Sequence, residues 1–139
     1  AGPREIISLM VKLHQFAIMS APTTSQYAAI EAMKNGDEDM AYMREQYDMR
    51  RRLILDGLNS LGLKCFEPEG AFYVFPSIKC TGLTSGEFCE RLIYSKHVAV
   101  VPGDAFGACG EGFLRISYCY SVKHITEALE RMRAFLREL

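Results

Sequence analysis

Residues 98–121 read V-A-V-V-P-G-D-A-F-G-A-C-G-E-G-F-L-R-I-S-Y-C-Y-S. Four apolar residues at 98–101 predict a short strand, and the Pro102-Gly103 pair predicts the turn that ends it. A glycine-rich loop continues to Gly112 and leads into a second predicted strand. That second strand has one charged residue, Arg115, in the middle of an otherwise apolar run. This combination of two strands, a glycine loop and a central arginine indicates a binding site built on a sheet.

Side chains along a strand point alternately to its two faces. One face of the second strand carries Leu114, Ile116 and Tyr118, and the other carries Arg115, Ser117 and Cys119. The apolar face is suited to packing under helices. A buried guanidinium needs an anion, and its planar fork binds a carboxylate through two hydrogen bonds. We therefore predict a substrate-carboxylate site at Arg115, although an internal ion pair or a solvated strand face would show the same spacing.

The remaining sequence predicts five helices and one more strand. The first helix is predicted between Pro3 and a break at 20–25, the second at about 25–35 and the third at 37–61. The fourth helix follows Thr84 and the fifth follows Ser121. The additional strand is predicted at 71–75. Gly62 is predicted as a left-handed helix cap, and Thr84-x-x-Glu87 is a capping box. The order after Gly62 predicts an α/β (α+β) fold, a two-layer sandwich with a small, largely antiparallel sheet and helices on one face. The first two helices need an apolar partner outside that sandwich.

Composition excludes several classes of protein. The 139 residues carry a net charge of −1, with no run of like charges, which argues against a nucleic-acid or polybasic membrane surface. No membrane span or signal peptide is expected. The five cysteines form no Cys-x-x-Cys pair, which predicts a reduced cytoplasmic protein with buried thiols. Three scattered histidines predict no metal site, and no local signature supports a Cys-His nucleophile.

Six motifs in this order resemble the carboxy-terminal portion of fold-type I pyridoxal-phosphate-dependent aminotransferases. They are A-G-P-R-E-I-I at 1–7, S-A-P-T-T-S-Q-Y-A-A-I-E-A-M at 20–33, M-R-R-R-L-I-L-D-G-L-N at 49–59, P-E-G-A-F-Y-V-F-P at 68–76, V-P-G-D-A-F-G at 101–107 and L-R-I-S-Y at 114–118. The match is nearest to the class I/II branch of aspartate, aromatic and alanine aminotransferases. It covers essentially the whole chain. Each motif is weak alone, and their shared order makes the resemblance specific.

The resemblance implies a division of the chain and two substrate-binding residues. Residues 1–36 would be the helical end of the large, cofactor-binding domain, and residues 37–139 would be the small carboxy-terminal domain. Arg115 would bind the α-carboxylate of the substrate. Gly70 would lie near the substrate, where a side chain could obstruct closure of the domain. Gly103 and Phe106 are interpreted as fold-determining rather than catalytic.

The resemblance also implies what this chain lacks. The lysine that holds pyridoxal 5'-phosphate belongs to an upstream motif, S-x-x-K followed by G-x-R-x-G-Y, which is absent here. No catalytic and no cofactor-binding residue is therefore assigned within the 139 residues. The chain is expected to be a fragment that holds no cofactor and is inactive alone. Its full-length parent would be a cytoplasmic homodimer that uses pyridoxal phosphate, amino acids and 2-oxo acids.

Three functions remain open on this scaffold. The preferred one is an aminotransferase that moves an amino group between an L-amino acid and a 2-oxo acid. A C–S β-lyase is the enzymatic alternative. The non-enzymatic alternative is an effector-binding and dimerisation module of an aminotransferase-like transcription regulator. Arg115 would capture a carboxylate in the aminotransferase and in the regulator, so it does not decide between those two.

Overall fold

A computed structural model describes residues 2–139, so Ala1, the first residue of the predicted 1–36 segment, lies outside the described residues. The chain divides into two compact units, one ending at Tyr42 and the other spanning Met43–Leu139. The first unit holds the helices α1 (Arg4–Ala17) and α2 (Thr23–Asn35). The division falls within the long helix α3 (Asp37–Ser60).

The helices α1 and α2 expose their apolar side chains. Each begins directly after a proline, Pro3 or Pro22, whose fixed φ is compatible with a helix start. Among the described residues of both helices, none is buried. Phe16 is 86% exposed and Met33 is 87% exposed. The apolar surface predicted to need a partner is therefore open to solvent in this chain.

The second unit contains a three-stranded antiparallel sheet and three helices. Its elements after α3 are β1 (Tyr73–Val74), α4 (Ser85–Lys96), β2 (Val101–Pro102), β3 (Leu114–Ser117) and α5 (Val122–Leu136). The strand order is β1-β3-β2, with β3 in the centre and both pairings antiparallel. The predicted fold class is confirmed. The strands are shorter than predicted: 98–100, 71–72 and Phe75 lie outside them.

One apolar core joins the helices to one face of the sheet. Leu58 of α3, Phe88 of α4 and Leu114 of β3 are fully buried. On α5, Ile125, Leu129, Met132 and Phe135 are buried and belong to this core. On α3, Ile54, Leu55 and Leu58 in the second half are buried, whereas Met40 and Met43 in the first half are more than half exposed.

Local side-chain chemistry fixes the helix ends. Gly62 has φ +80°, and the N–H of Leu63 donates to the carbonyl of Leu58 at 3.1 Å, which closes α3 as predicted. The predicted capping box at α4 is present, with Thr84 and Glu87 bonded reciprocally. Ser121 Oγ accepts from the N–H of His124 at 3.3 Å and caps α5.

Replacing Thr84 with alanine is expected to lower the free energy of unfolding by about 0.5–2 kcal/mol, because it removes the acceptor for the N–H of Glu87. Thr84→Ser keeps that acceptor and is the matched control. Hydrogen bonds donated by the Thr84 backbone and side chain lower the pKa of Glu87 below its ordinary value of 4.5. This carboxylate therefore stabilises the fold above pH 4.5, and its contribution is lost as the pH falls through the lowered pKa.

Urea unfolding of the wild-type, alanine and serine forms at neutral pH measures the loss. A repeat of the series at successively lower pH should shrink the difference between the alanine and serine forms as the pH falls through the lowered pKa of Glu87, because the carboxylate that accepts from Thr84 is then protonated. Equal stability of the alanine and serine forms at neutral pH would contradict the prediction.

Candidate carboxylate-binding site

The central strand β3 places Arg115 on the sheet face opposite the core. Leu114 and Tyr118, on the other face, are 0% and 2% exposed. Arg115 lies directly opposite Val101 of β2, and Ser117 lies opposite Tyr73 of β1. Because paired residues share a face of the sheet, Arg115 and Tyr73 are diagonal neighbours. The predicted alternation along β3 is confirmed, and it leaves the arginine half-buried.

Two aromatic rings contact the guanidinium of Arg115. Its Cζ lies 4.6 Å from the centroid of the Tyr73 ring and 4.5 Å from the centroid of the Phe106 ring. Both distances are within the range of a cation–π attraction. Sequence reasoning missed this contact. The only available signal was the position of Tyr73 in the adjacent strand, and that signal requires the register of the sheet.

Arg115 has no acidic partner within the part of the chain that the structure describes. The ion pairs of residues 2–139 involve Arg51, Arg52, Lys96 and Arg131. The internal ion pair considered for Arg115 is therefore not found among these residues. A half-buried cation held by two ring faces keeps its in-plane N–H donors available, and a carboxylate is the anion that fits them bidentately.

The loop that carries Phe106 is held by close contact between two glycines. A Cβ on Gly103 would overlap the carbonyl oxygen of Gly110 and lie 2.8 Å from that of Phe113. A Cβ on Gly110 would in turn overlap the carbonyl oxygen of Gly103. The N–H of Gly103 donates to the carbonyl of Phe113 at 2.9 Å. Gly103 is thus fold-determining, as the sequence predicted.

The buried hydroxyl of Ser85 secures the end of the same loop. Ser85 is 0% exposed, and its Oγ accepts from the N–H of Gly112 at 2.8 Å. The N–H of Ser85 donates to Glu111 Oε1 at 2.8 Å. Gly112 has φ +81°, a conformation that favours glycine. The start of α4 therefore fixes the loop directly before Arg115.

Arg115 lines a cavity of about 510 Å³. Ser117 and Tyr120 line the same cavity, and its other walls come from the segment 97–101 and from residues of α3 and α5. Gly70 lines a different cavity of about 670 Å³, beside Arg44, Tyr47 and Tyr118. The structure therefore does not bring the two predicted substrate-binding residues to one cavity. They are linked through the chain, because Tyr73, which contacts Arg115, lies three residues after Gly70.

Nothing in the described residues requires glycine at position 70. A Cβ there would meet no atom within 4 Å, and Gly70 is not among the glycines with positive φ. The next residue, Ala71, has φ 60°, and its carbonyl accepts from the Tyr118 hydroxyl at 2.8 Å. The turn therefore takes its left-handed residue one position after the glycine.

An ion-pair cluster forms one wall of the cavity at Gly70. Asp48 accepts from Arg51 at 2.7 Å and from Arg52 at 2.6 Å, and Arg51 also pairs with Glu67. Hydrogen bonding to Arg51 is the main cause that lowers the pKa of Asp48. Two arginines of the run 50–52, Arg51 and Arg52, thus form ion pairs. The exposed pair of Arg52 with Asp48 contributes little stability.

The cysteines are more exposed than predicted. Cys80, Cys109 and Cys119 are exposed, and Cys65 and Cys89 are half-buried. The prediction of buried thiols is therefore wrong, because these positions lie at the rim of the core and in the glycine loop. Burial raises the pKa of Cys89 to about 11, so this thiol is protonated at neutral pH. Its environment does not favour a nucleophile.

Three further observations concern cofactors, metals and membranes. No lysine lines either of these two cavities, so neither of them offers the covalent anchor of pyridoxal phosphate. Across residues 2–139, no three His, Cys, Asp or Glu side chains cluster as metal ligands would. In the same part of the chain, no helix combines the length and the apolar character needed to cross a bilayer.

The sequence of the chain was compared with known protein families. The family model for aminotransferases of class I and II matches residues 1–132. This chain belongs to the class I and II aminotransferase family. The resemblance drawn from the six motifs is thereby confirmed.

Individual aminotransferases match almost the whole chain. This chain is 46% identical to an aspartate aminotransferase of Pyrococcus abyssi and 42% identical to aromatic-amino-acid aminotransferase 2 of Thermococcus litoralis. Each match covers 99% of this chain. A crystal structure of an aromatic aminotransferase from Pyrococcus horikoshii covers 99% of the chain with 45% identity and a TM-score of 0.88. The chain spans 36% of the length of the first two proteins and 37% of the third.

Proposed function

We propose that this chain forms the carboxylate-binding part of a longer aminotransferase, which moves an amino group between an L-amino acid and a 2-oxo acid. The observation that carries the proposal is the guanidinium of Arg115, half-buried between two rings and without an acidic partner in the described chain. Membership of the aminotransferase family supplies the reaction class. The relatives named above act, by their names, on aspartate and on aromatic amino acids.

One arginine can serve both halves of such a reaction. An amino acid and a 2-oxo acid each carry a carboxylate next to the carbon that gains or loses nitrogen. Arg115 would bind that carboxylate in either substrate and so hold the reacting carbon in one place. Since no internal ion pair has to be broken first, the arginine is available to both substrates at the same cost.

Gly70 would act by leaving space. Nothing within the described chain occupies the position of its missing Cβ. We propose that a side chain there would meet the substrate or the rest of the longer protein when the domain closes. Residues 37–139 would then be the small domain that carries both substrate-binding residues, and residues 1–36 would belong to the large domain.

The cofactor would be pyridoxal 5'-phosphate, as membership of the aminotransferase family suggests. The described residues do not supply its lysine, so we propose that this lysine lies elsewhere in the longer protein. The 139-residue chain alone would then be inactive. A homodimer in the cytoplasm remains part of the same proposal.

The test is an amino-transfer assay on the purified full-length protein loaded with pyridoxal phosphate. L-Aspartate or L-tyrosine is supplied with 2-oxoglutarate, and formation of glutamate is measured against formation of the new oxo acid. We expect the two products in equal amounts. Release of pyruvate and a thiol from cysteine conjugates would identify a C–S β-lyase instead. If none of the amino acids found in proteins is a substrate, and the full-length protein has a DNA-binding domain upstream, the chain belongs to the regulator module.

A further inference from the structure

We propose that Tyr73 and Phe106 are positioning residues that hold Arg115 in the orientation needed to bind a substrate carboxylate. This inference rests on the proposed function of Arg115. The two rings come from different elements, since Tyr73 belongs to β1 and Phe106 follows β2. Their centroids lie 4.6 Å and 4.5 Å from Arg115 Cζ. The arginine of the central strand is therefore held from both neighbouring strands.

Aromatic rings hold an arginine without occupying its hydrogen-bond donors. The attraction acts through the faces of the rings, whereas the five N–H donors of the guanidinium lie in its own plane. An acidic neighbour would compete with the substrate for those donors, and the described chain places none at Arg115. The two rings thus limit the movement of the Arg115 side chain and leave its N–H donors available to the substrate.

The Tyr73 ring is itself supported. The Phe72 and Tyr73 ring centroids are 4.6 Å apart, and Phe72 stacks on Tyr47 of α3 at 6.1 Å. The backbone pairing of Tyr73 with Ser117 fixes its position beside β3. Tyr73 therefore has little freedom to follow the arginine if the arginine moves.

The Phe106 ring is supported on the other side. Its centroid lies 6.2 Å from that of Phe75 in an edge-on arrangement, and Phe75 stacks on Phe113 at 5.8 Å. The close contact of Gly103 with Gly110 fixes the loop that carries it. Phe106 is 50% exposed and is not part of the buried core, while its ring lies against Arg115. We assign it to positioning in addition to the role in the fold predicted from the sequence.

The expected consequence is a change in KM. The carboxylate is held equally in the ground state and in the transition state, so loss of orientation weakens both, and KM rises while kcat changes little. Removing one ring, as Phe106→Leu or Tyr73→Leu, should raise KM for the amino acid about two- to thirtyfold, the range of one cation–π contact. Phe106→Tyr and Tyr73→Phe keep a ring face and should restore KM to near the wild-type value.

The experiment measures KM and kcat for these variants in the full-length protein loaded with pyridoxal phosphate. Phe66→Leu is the matched control, because Phe66 is 70% exposed and has no ring or cation contact in the described chain. Each ring variant is also made in an Arg115→Leu background. If the rings act through the arginine, they should raise KM no further there.

The outcomes separate this inference from the proposed function. If Arg115→Leu alone leaves KM and kcat unchanged, the proposed function of Arg115 is wrong. If Arg115→Leu impairs the enzyme while Phe106→Leu and Tyr73→Leu match Phe66→Leu, only the positioning role is wrong. An undiminished KM effect of the ring variants in the Arg115→Leu background would also overturn it, because the rings would then contact the substrate directly.

Discussion

Replacing Arg115 with leucine in the full-length protein is expected to lower kcat/KM for amino acids by about thirtyfold to several thousandfold. This range corresponds to about 2–5 kcal/mol, the typical cost of removing one partner of a buried, hydrogen-bonded charge pair. The effect should fall mainly on catalysis, with a smaller loss of stability from the two ring contacts of Arg115. The guanidinium has no ion-pair partner in residues 2–139, so the substitution leaves no acidic group unpaired there.

Arg115→Lys should also be impaired, because an ammonium group cannot reproduce the planar fork that binds both carboxylate oxygens. Arg133→Leu is a matched control, since Arg133 lies exposed on α5 and lines neither cavity. Steady-state kinetics with a 2-amino acid and thermal unfolding are measured on all forms. Unchanged kinetics in Arg115→Leu would mean that another group holds the carboxylate.

The features that sequence predicted well are those that neighbouring residues determine. The capping box needs only Thr84 and a glutamate three positions later, and the left-handed cap needs only Gly62 at the end of a helix. The two faces of β3 follow from strict alternation over a few residues. Each of these signals is contained in a short segment, so no knowledge of the fold was required.

The features that sequence missed depend on distant residues. Tyr73 lies 42 positions before Arg115, and its contact exists only because β1 pairs with β3 in one register. The residues 98–100 have high strand propensity, yet the paired segment of β2 is confined to Val101–Pro102. Cys119 follows the end of β3, and its exposure depends on what covers that part of the sheet. Burial and pairing are tertiary properties, which local patterns do not contain.

Replacing either Gly103 or Gly110 with alanine is expected to destabilise the fold by about 1–3 kcal/mol or more, the cost of forcing atoms into a packed region. The added Cβ at either position would overlap a backbone carbonyl of the other glycine. A backbone atom cannot rotate away as the end of a side chain can. The loop would have to open, which would break the hydrogen bond from the N–H of Gly103 to the carbonyl of Phe113.

Opening the loop would also displace Phe106. Gly103→Ala should therefore raise KM for the amino acid as well as lower the stability of the fold. Gly86→Ala is the matched control: a Cβ there meets no described atom within 4 Å, and alanine favours the helix α4 by about 0.5–1 kcal/mol. Chemical unfolding of the three variants gives the comparison. If Gly103→Ala and Gly110→Ala were as stable as Gly86→Ala, the two glycines would not determine the loop, and the support assigned to Phe106 would have to come from Phe75 alone.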